Sequence, residues 1–340
     1  MNVLITGCSR HSKEIVECLK SNYENRPVRV IAVDMNYNNI LRYNTDAQYI
    51  VPKSSEPNYI PALIDICKKE YVDIVVPYIT SELLKMSQSK KEFENNGIKI
   101  SVSDEKSIEI LNDKIMIADK FKRYMPRQMV VTNKYDTEEA LHHLNYPHKP
   151  ICVKIHNSCG GNVFAVVDDT KAYNLSLLNK RGIPPIISKD ELIKYIEKSP
   201  AILQEYITGK DNDYSLCVLA DNGKIVAYCG YYGYSIEYGA VCNGEISINE
   251  KAVEIAKDIV QKTKFSGNAC FDYKIDSSNM PVLLECNPRI NASLGFCNAA
   301  GLNLVYLQCK LLLGENIDVS QFRIKTGLKM RKFYESEYYI

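Results

Sequence analysis

The sequence predicts a mixed protein in which an α/β domain with a parallel sheet precedes an α+β region. In the first hundred residues, short apolar segments alternate with amphipathic ones, which is typical of parallel strands joined by crossover helices. After residue 200, apolar segments follow one another across short polar turns, as in antiparallel sheets. A chain of 340 residues fits about two domains of ordinary size.

The composition excludes several classes of partner. Lysine and arginine total 42 and aspartate and glutamate total 41, so no strong basic field favours nucleic acid or an anionic membrane. No apolar run reaches the length of about 18 residues that spans a bilayer. The start MNVLITGCSR does not resemble a secretory signal, and the 12 cysteines form no CxxC pair. We therefore expect a cytoplasmic protein with reduced thiols.

The first hundred residues carry the alternating pattern. Strand 28–34 and strand 72–78 are almost continuously apolar, as strands covered on both faces are. Gly97 ends the third predicted helix. The expected order is strand 3–6, helix 12–20, strand 28–34, helix 57–70, strand 72–78, helix 81–96 and strand 97–102.

This opening resembles a Rossmann-like nucleotide domain, so a nicotinamide cofactor is one alternative. The turn TGCSRHSK holds a single glycine, Gly7, whereas a pyrophosphate needs several glycines to approach the backbone. Asp34 stands where a ribose-binding acid could stand, but acids commonly end strands. We favour a domain that binds no dinucleotide and forms one wall of a cleft. The polar residues Thr80, Ser81 and Glu82 either begin helix 81–96 or contact a substrate.

The central segment contains a lysine inside an apolar strand. The expected elements there include a hairpin over 150–169 with a glycine-containing turn, and Lys154 lies in its first strand, ICVKI. A buried lysine is costly unless an anion meets it, which favours a phosphate site. The alternative is a lysine on the exposed face of an edge hairpin. The other elements are helix 112–125 capped by Asn112, strand 127–132, helix 137–144, and helix 188–198 with a capping box from Ser188 to Glu191.

Polar residues in the last strands indicate a metal site. Asp272 and Glu285 lie in apolar strands within 267–293, and Asn287 shares a face with Glu285. Two carboxylates and an amide oxygen suit Mg²⁺ that shares ligands with phosphates, and Arg289 adds a positive fork. The alternative is three polar residues satisfied separately. The remaining elements are antiparallel strands over 201–230, helix 249–265 capped by Asn249, helix 298–313 and a C-terminal tail.

An ordered set of motifs resembles the ATP-grasp superfamily, in particular single-unit chains similar to the large subunit of carbamoyl-phosphate synthase. The resemblance runs from about residue 1 to 314, and acid-x-Asn-Pro-Arg is its most specific part. The length excludes a complete carbamoyl-phosphate synthase. The motifs are DK at 113–114, VKIHNSCGG at 153–161, QEYITG at 204–209, FDY at 271–273 and LLECNPRINAS at 283–293.

The resemblance implies how ATP and metal are held. Lys114 and Lys154 resemble the two phosphate-binding lysines. Asp272, Glu285 and Asn287 resemble the ligands of Mg²⁺, with Mn²⁺ as the alternative ion. The remaining ATP-binding residues implied are Ser158, Gly160 and Gly161 in a glycine-rich loop, Glu205, Tyr206 and Ile207 in an adenine hinge whose latter two backbone groups read the base, and the ribose-binding Asp213.

The resemblance also implies the reaction, in which ATP activates a carboxylate as an acyl phosphate and an amine then forms an amide or peptide bond. Arg289, Lys154 and Asn291 would be catalytic. We expect small-molecule carboxylate and amine substrates against Thr80–Glu82, Tyr228–Glu245 and Asn291–Ser293, and leave a homodimer open. The tyrosines of the middle wall either line the cleft or cover a half-exposed sheet, and they are Tyr231, Tyr232, Tyr234 and Tyr238.

The expected division of the chain has four parts. A Rossmann-like domain occupies 1–110, a small sub-domain with the glycine-rich loop 111–200, a large sub-domain with the hinge and metal site 201–314, and a tail 315–340. The two sub-domains would clasp ATP between them. Two alternatives to a ligase stay open at this point, namely an NAD-dependent oxidoreductase that uses the first domain and an ATP-binding protein without catalysis.

Overall fold

A computed structural model describes residues 1–9, 12–155, 164–170, 185–198, 200–209, 211–237, 240–333, 336 and 338. The predicted fold class is confirmed, because a parallel sheet is followed by two largely antiparallel sheets. None of the helices in these ranges combines the length and apolar character that a membrane span requires.

The strands form three sheets. Their limits are β1 Asn2–Thr6, β2 Arg29–Asp34, β3 Ala47–Ile50, β4 Ile74–Val76, β5 Lys99–Ile100, β6 Gln128–Val131, β7 Ile151–Ile155, β8 Phe164–Val167, β9 Ile186–Ile187, β10 Ala201–Glu205, β11 Asp213–Asp221, β12 Lys224–Glu237, β13 Ala240–Ile246, β14 Gly267–Ile275, β15 Pro281–Asn287 and β16 Lys329–Arg331.

The helices pack on the faces of these sheets. Their limits are α1 Lys13–Lys20, α2 Tyr59–Lys69, α3 Leu83–Gln88, α4 Lys90–Asn95, α5 Glu105–Asn112, α6 Lys114–Lys120, α7 Lys134–His143, α8 Lys189–Ile196, α9 Glu250–Thr263, α10 Leu294–Ala299 and α11 Leu304–Leu312.

The first sheet is parallel throughout, in the order β3-β2-β1-β4-β5. Its central strands are buried on both faces, which explains their continuous apolar runs. The strand order reverses between β1 and β4, and ligands of such sheets bind beyond the carboxyl ends at that point. The predicted helix 81–96 is interrupted at Ser89, where α3 ends and α4 begins.

The second sheet has the order β6-β10-β7-β8-β9, so β7 is its middle strand. The third has the order β15-β14-β11-β12-β13-β16. Strand β10 therefore belongs to a different sheet from β11 and β12, although the sequence suggested one antiparallel set. Residues 329–331 add β16 to the third sheet, inside the range predicted as a tail.

The predicted helix 112–125 is also corrected. A helix before it, α5, was not predicted, and α6 ends five residues early. The cap between them is Asp113, whose side chain accepts from the N–H groups of Ile115 and Met116, and not Asn112. An aspartate at an N-cap breaks the helix and redirects it. This break sets Lys114 at the start of α6, facing the third sheet.

Two apolar cores join the first and third sheets. In one core, the first sheet and α2, α3 and α5 pack against α9 and the face of the third sheet that α9 covers. In the other core, α1, α10 and α11 lie between the remaining faces. A third core lies under the second sheet, between α7 and α8. A cleft opens where the three sheets come close to one another.

Candidate active site

A cleft of about 990 Å³ lies between the three sheets. The first sheet contributes the segment after β4, the second contributes β7 and β8, and the third contributes β11 to β15. The start of α6 and the loop after β15 complete the lining. Most predicted site residues within the described ranges reach this cleft, and they come from elements far apart in the chain.

Lys154 reaches the cleft from the middle of the second sheet. Because side chains alternate along a strand, Ile151 and Val153 enter the core under the sheet while Lys154 faces the other way. The strand is central, so the alternative of an edge hairpin is excluded. Burial lowers the pKa of the Lys154 ammonium. This group has no hydrogen-bond partner among the described residues, and an anion in the cleft would satisfy it.

Lys114 approaches the same region from α6. Its Nζ lies 4.0 Å from Oε2 of Glu285. The positive charge of Lys114 contributes to the lowered pKa of Lys154, so the two lysines are close together. Two lysines next to two carboxylates can bind a polyanion together with a divalent cation: the lysines contact the polyanion and the carboxylates contact the cation.

The two acids face each other across neighbouring strands. Asp272 on β14 pairs in register with Glu285 on β15. The Asn287 side chain donates to Oδ2 of Asp272 at 3.0 Å, and the Ser215 hydroxyl donates to Oδ1 at 2.6 Å. Burial first, and the charge of Glu285 second, raise the pKa of Asp272 to about 7. A divalent cation bound between the two carboxylates would stabilise both negative charges.

A bulge in β15 sets up this arrangement. The register passes from Asp272–Glu285 to Tyr273–Leu283, which leaves Leu284 without a partner. Leu283 joins the α9-side core, whereas Glu285 lines the cleft. Strict alternation would put both on one face, so the extra residue separates the two roles. The sequence predicted the acids but gave no sign of Ser215 as their hydrogen-bonding partner.

Arg289 is held from three sides. Its Nε donates to Oγ1 of Thr80 at 2.9 Å, one terminal nitrogen donates to the Ile290 carbonyl at 3.0 Å, and the other lies 3.4 Å from Oδ1 of Asn287. The guanidinium also lies 5.7 Å from the centre of the Tyr78 ring. These contacts fix the positive guanidinium next to Asn287 and to Thr80, which follows β4 of the first sheet.

The polar triplet after β4 divides into two roles. Thr80 and Ser81 line the cleft, as the substrate-contact interpretation requires. Glu82 does not, because it is fully buried and accepts hydrogen bonds from the hydroxyls of Thr6 and Tyr59 and from two backbone N–H groups. The expectation that Glu82 forms part of a substrate wall is therefore wrong. Its carboxylate organises the turn that presents Thr80.

The predicted adenine hinge lies at the end of β10. The carboxylate of Glu205 pairs with Arg127 at 3.1 Å and Lys149 at 2.9 Å. The Tyr206 N–H donates to the Pro150 carbonyl at 2.9 Å, so this amide is already committed. Backbone groups of Tyr206 and Ile207 are expected to read the base, and the N–H of Ile207 has no partner within the described residues.

Asp213 and Phe164 line the cleft near the hinge. Asp213 lines the cleft and pairs with Lys274 at 2.9 Å. Phe164 faces the cleft opposite Lys154, and its ring centre lies 6.1 Å from that of Tyr206. Phe164 offers an aromatic wall that the sequence did not single out. The predicted loop residues Ser158, Gly160 and Gly161 lie outside the described residues.

The remaining predicted residues belong to the substrate end. Asn291 lines the cleft, and its Oδ1 accepts from the Ser293 N–H at 3.0 Å, so part of its side chain holds the turn into α10. Tyr231 is buried and lines the cleft. Tyr232 packs on the α9 side and Tyr234 is exposed. Tyr238 lies outside the described residues. One of the three described tyrosines thus belongs to the wall.

No group of three or more histidine, cysteine, aspartate and glutamate side chains within the described ranges has the spacing of a metal cluster. The candidate metal site therefore consists of two carboxylates and one amide. This set is chemically of the magnesium type, in which water and phosphate oxygens provide the other ligands.

Comparison with known families gives two matches, one in each half of the chain. Residues 3–101 match the family described as PylC-like, N-terminal domain. Residues 197–335 match the family described as ATP-grasp in the biosynthetic pathway with Ter operon. The chain carries an ATP-grasp domain. The second match spans the hinge, both carboxylates and Arg289, so the resemblance stated from the motifs is confirmed.

Several solved structures have a fold similar to that of this chain. N5-carboxyaminoimidazole synthetase from Staphylococcus aureus complexed with ADP has a TM-score of 0.70 and 18% identity, over 93% of this chain and 78% of that one. A biotin carboxylase–β-γ-ATP complex from Campylobacter jejuni has a TM-score of 0.70 and 13% identity, over 95% of this chain and 73% of that one. L-amino acid ligase from Bacillus licheniformis has a TM-score of 0.66 and 14% identity, over 96% of this chain and 77% of that one. Comparison with curated proteins gives no match.

Proposed function

We propose that the chain is an ATP-dependent carboxylate–amine ligase that forms an amide or peptide bond through an acyl phosphate and releases ADP and phosphate. The observation that carries the proposal is the convergence of Lys114, Lys154 and Arg289 with the Asp272–Glu285 pair on one cleft of an ATP-grasp domain. Similar solved structures include a synthetase and a carboxylase with bound nucleotides and an amino acid ligase. The activities named for these proteins support the reaction class.

The residues present fit a bound magnesium ion. Asp272, Glu285 and the amide oxygen of Asn287 are hard donors on one face, and burial together with the charge of Glu285 raises the pKa of Asp272. Mn²⁺ would be accepted by the same donors. When bound, the ion would neutralise phosphate charge and align the phosphates for transfer. Its three ligands do not provide an acid or a base for the reaction.

The chain's own groups then position the reactants. Lys114 and Lys154 hold phosphate oxygens of ATP, while Phe164 and the Ile207 N–H face the base and Asp213 the ribose. Arg289 lies where the transferred phosphoryl group meets the carboxylate, and Asn291 lies beside it. Phosphoryl transfer requires placement and charge neutralisation more than covalent chemistry, and these residue types provide both.

The substrates lie between the first and third sheets in this proposal. Thr80, Ser81 and Tyr231 form the walls there, with Arg289 as the cation that meets the carboxylate. The amine attacks the acyl phosphate in the same cleft, where limited access of water protects the intermediate. Small molecules fit this volume. We propose a cytoplasmic setting, because the described cysteines are free thiols and nearly all are buried.

The test supplies ATP, Mg²⁺, hydroxylamine as a surrogate amine, and a panel of carboxylic acids. Acid-dependent hydroxamate with stoichiometric ADP is the expected result. Release of AMP and pyrophosphate would mean adenylation and would contradict the acyl phosphate. Turnover of NAD with no use of ATP would favour the oxidoreductase, and ATP binding without product for any acid would favour a non-catalytic protein.

A matched pair of variants assigns the products to the cleft. Glu285→Gln is nearly isosteric and the side chain is 39% exposed, so we expect the fold to remain and hydroxamate formation to fall by about a hundredfold or more. Glu254→Gln makes the same change on the exposed side of α9, where the side chain is 69% exposed, and should retain full activity. Equal activities of the two variants would remove Glu285 from the mechanism.

A further inference from the structure

The Arg289 guanidinium has five N–H donors, and three of them already have acceptors within the protein. Its Nε donates to Thr80, and the terminal nitrogens donate to the Ile290 carbonyl and toward Oδ1 of Asn287. Two N–H groups, one on each terminal nitrogen, have no acceptor among the residues that the structure describes. A planar group with its orientation fixed in this way presents the two remaining donors as a fork.

The contact with Thr80 crosses between the first and third sheets. Thr80 and Arg289 are 209 positions apart in sequence, whereas the acceptors Ile290 and Asn287 are one and two positions from Arg289. The two near contacts move with the arginine's own loop. The hydroxyl of Thr80 is the acceptor that ties the guanidinium to a different part of the molecule.

Thr80 is itself held in place. Its carbonyl accepts from the Asn112 side chain at 3.3 Å, at the end of α5 just before Lys114. The buried Glu82 accepts from the N–H groups of Tyr78 at 3.0 Å and Ile79 at 2.9 Å, which fixes the backbone leading into Thr80. Because hydrogen bonds hold the backbone on both sides of Thr80, its hydroxyl loses little entropy when it accepts from an arginine.

We propose that Thr80 is the positioning residue for Arg289, and that it aims the two remaining donors at the phosphoryl group transferred from ATP. This inference rests on the proposed function, since it deepens the role of one residue of that site. Thr80 does not touch the reacting atoms; it acts through the arginine. The parallel-sheet domain thereby contributes to phosphoryl transfer without binding a nucleotide of its own.

The first experiment compares the affinities of Mg·ATP and Mg·ADP by calorimetry. Thr80→Val keeps the shape and removes the hydroxyl, so we expect ATP to bind about tenfold more weakly while ADP binding changes less than about twofold. Thr80→Ser restores the hydroxyl and should restore the preference for ATP. Equal losses for both nucleotides in Thr80→Val, or a Thr80→Ser variant that behaves like Thr80→Val, would overturn the proposal.

A double-mutant cycle separates this effect from a general change in the cleft. In an Arg289→Met background, Thr80→Val should cause no further loss of ATP affinity, because the group that it positions is absent. A further loss of the same size in that background would show that Thr80 acts independently of Arg289, and the proposal would be wrong.

The last measurement does not depend on nucleotide binding. In the free protein, the Nε–H resonance of Arg289, assigned by its disappearance in Arg289→Lys, should exchange slowly with water in wild type and Thr80→Ser. It should exchange at least about tenfold faster in Thr80→Val, since the donor loses its acceptor. Unchanged exchange would overturn the positioning role. A wild type that binds no ATP would instead refute the proposed function, while this measurement would still decide the contact.

Discussion

Lys154 shows how one residue links the strand pattern to the cleft. It lies in the middle strand of the second sheet, with Ile202 and Phe164 as cross-strand neighbours. The alternation of side chains that buries Val153 beneath the sheet necessarily turns Lys154 toward the opposite face. Burial lowers the pKa of its ammonium group, and an anion bound in the cleft would stabilise the charged form.

We therefore expect Lys154→Met to weaken Mg·ATP binding. The methionine keeps the apolar stem and removes the charge-assisted contact, which is worth about 1.5–3 kcal/mol, or roughly ten- to a hundredfold in Kd. Isothermal calorimetry measures the change. Lys257→Met, at an exposed site on α9, is the control and should bind like wild type. An unchanged Kd for Lys154→Met would remove this lysine from the phosphate site.

Glu82 illustrates a residue whose importance is structural. Its fully buried carboxylate accepts from the hydroxyls of Thr6 and Tyr59 and from the backbone of Tyr78 and Ile79. Glutamine at this position replaces an acceptor oxygen with a donor that faces other donors. Each buried group left unsatisfied costs about 1–3 kcal/mol.

Glu82→Gln should accordingly lower the free energy of unfolding by about 2–4 kcal/mol, as measured by urea titration followed by circular dichroism. The matched control is Glu92→Gln on α4, whose side chain is exposed, and it should change stability by less than about 0.5 kcal/mol. A Glu82→Gln variant as stable as the control would mean that these hydrogen bonds contribute nothing net.

At the scale of elements, the sequence predicted those whose signals are local. The helix capped by Asn249 and the capping box from Ser188 to Glu191 both form as expected. The predictions over 81–96 and 112–125 were wrong because a polar residue inside each helical pattern, Ser89 or Asp113, is a helix boundary. Apolar spacing alone does not distinguish one long helix from two short ones at an angle.

Contacts between helices depend on tertiary structure, and Gly295 provides an example. It lies in α10, which packs against α1, and a β-carbon there would lie 2.6 Å from Cβ and 2.5 Å from Oε2 of Glu14. The Glu14 side chain is itself held by Lys332 at 2.8 Å, so it cannot move away freely. The absence of a side chain at residue 295 therefore allows the two helices to approach.

We expect Gly295→Ala to lower the free energy of unfolding by about 1–3 kcal/mol, the usual cost of overpacking. In the double variant with Glu14→Ala, the clash is relieved, so the combined loss should be smaller than the sum of the single losses. Urea titrations of the four proteins give the coupling. Additive losses would show that the glycine is not required by its contact with Glu14.

The whole molecule explains why the site was only partly predictable. Residue types at Lys154, Asp272 and Glu285 pointed to phosphate and metal, because charges inside apolar strands require a partner. The bond between Thr80 and Arg289 had no signal in the sequence, since nothing local relates two residues 209 positions apart. The sheet assignment of β10 failed for the same reason: pairing partners are chosen by the tertiary fold.

The turn after β1 bears on whether the first domain could bind a dinucleotide. Gly7 follows β1 with a φ of +54°, and a β-carbon there would lie 2.4 Å from Cγ1 of Ile79. The isoleucine thus covers the turn whose backbone would have to approach a pyrophosphate. Gly7 is needed for its positive φ and for its close contact with Ile79. Neither requirement calls for the further glycines of a dinucleotide-binding turn.

From this we predict that Mg·ATP stabilises the whole chain and NAD does not. A ligand that binds only the folded state adds RT ln(1 + [L]/Kd), which is about 2.7 kcal/mol at a hundred times Kd. Because ATP would contact the second and third sheets together, their unfolding should shift as one transition in a thermal scan with Mg²⁺ present. Lys154→Met should reduce the shift, and Lys257→Met should not. A rise in melting temperature with NAD and none with ATP would return the first domain to a dinucleotide-binding role, since Ile79 would then have to move off Gly7 to admit the pyrophosphate.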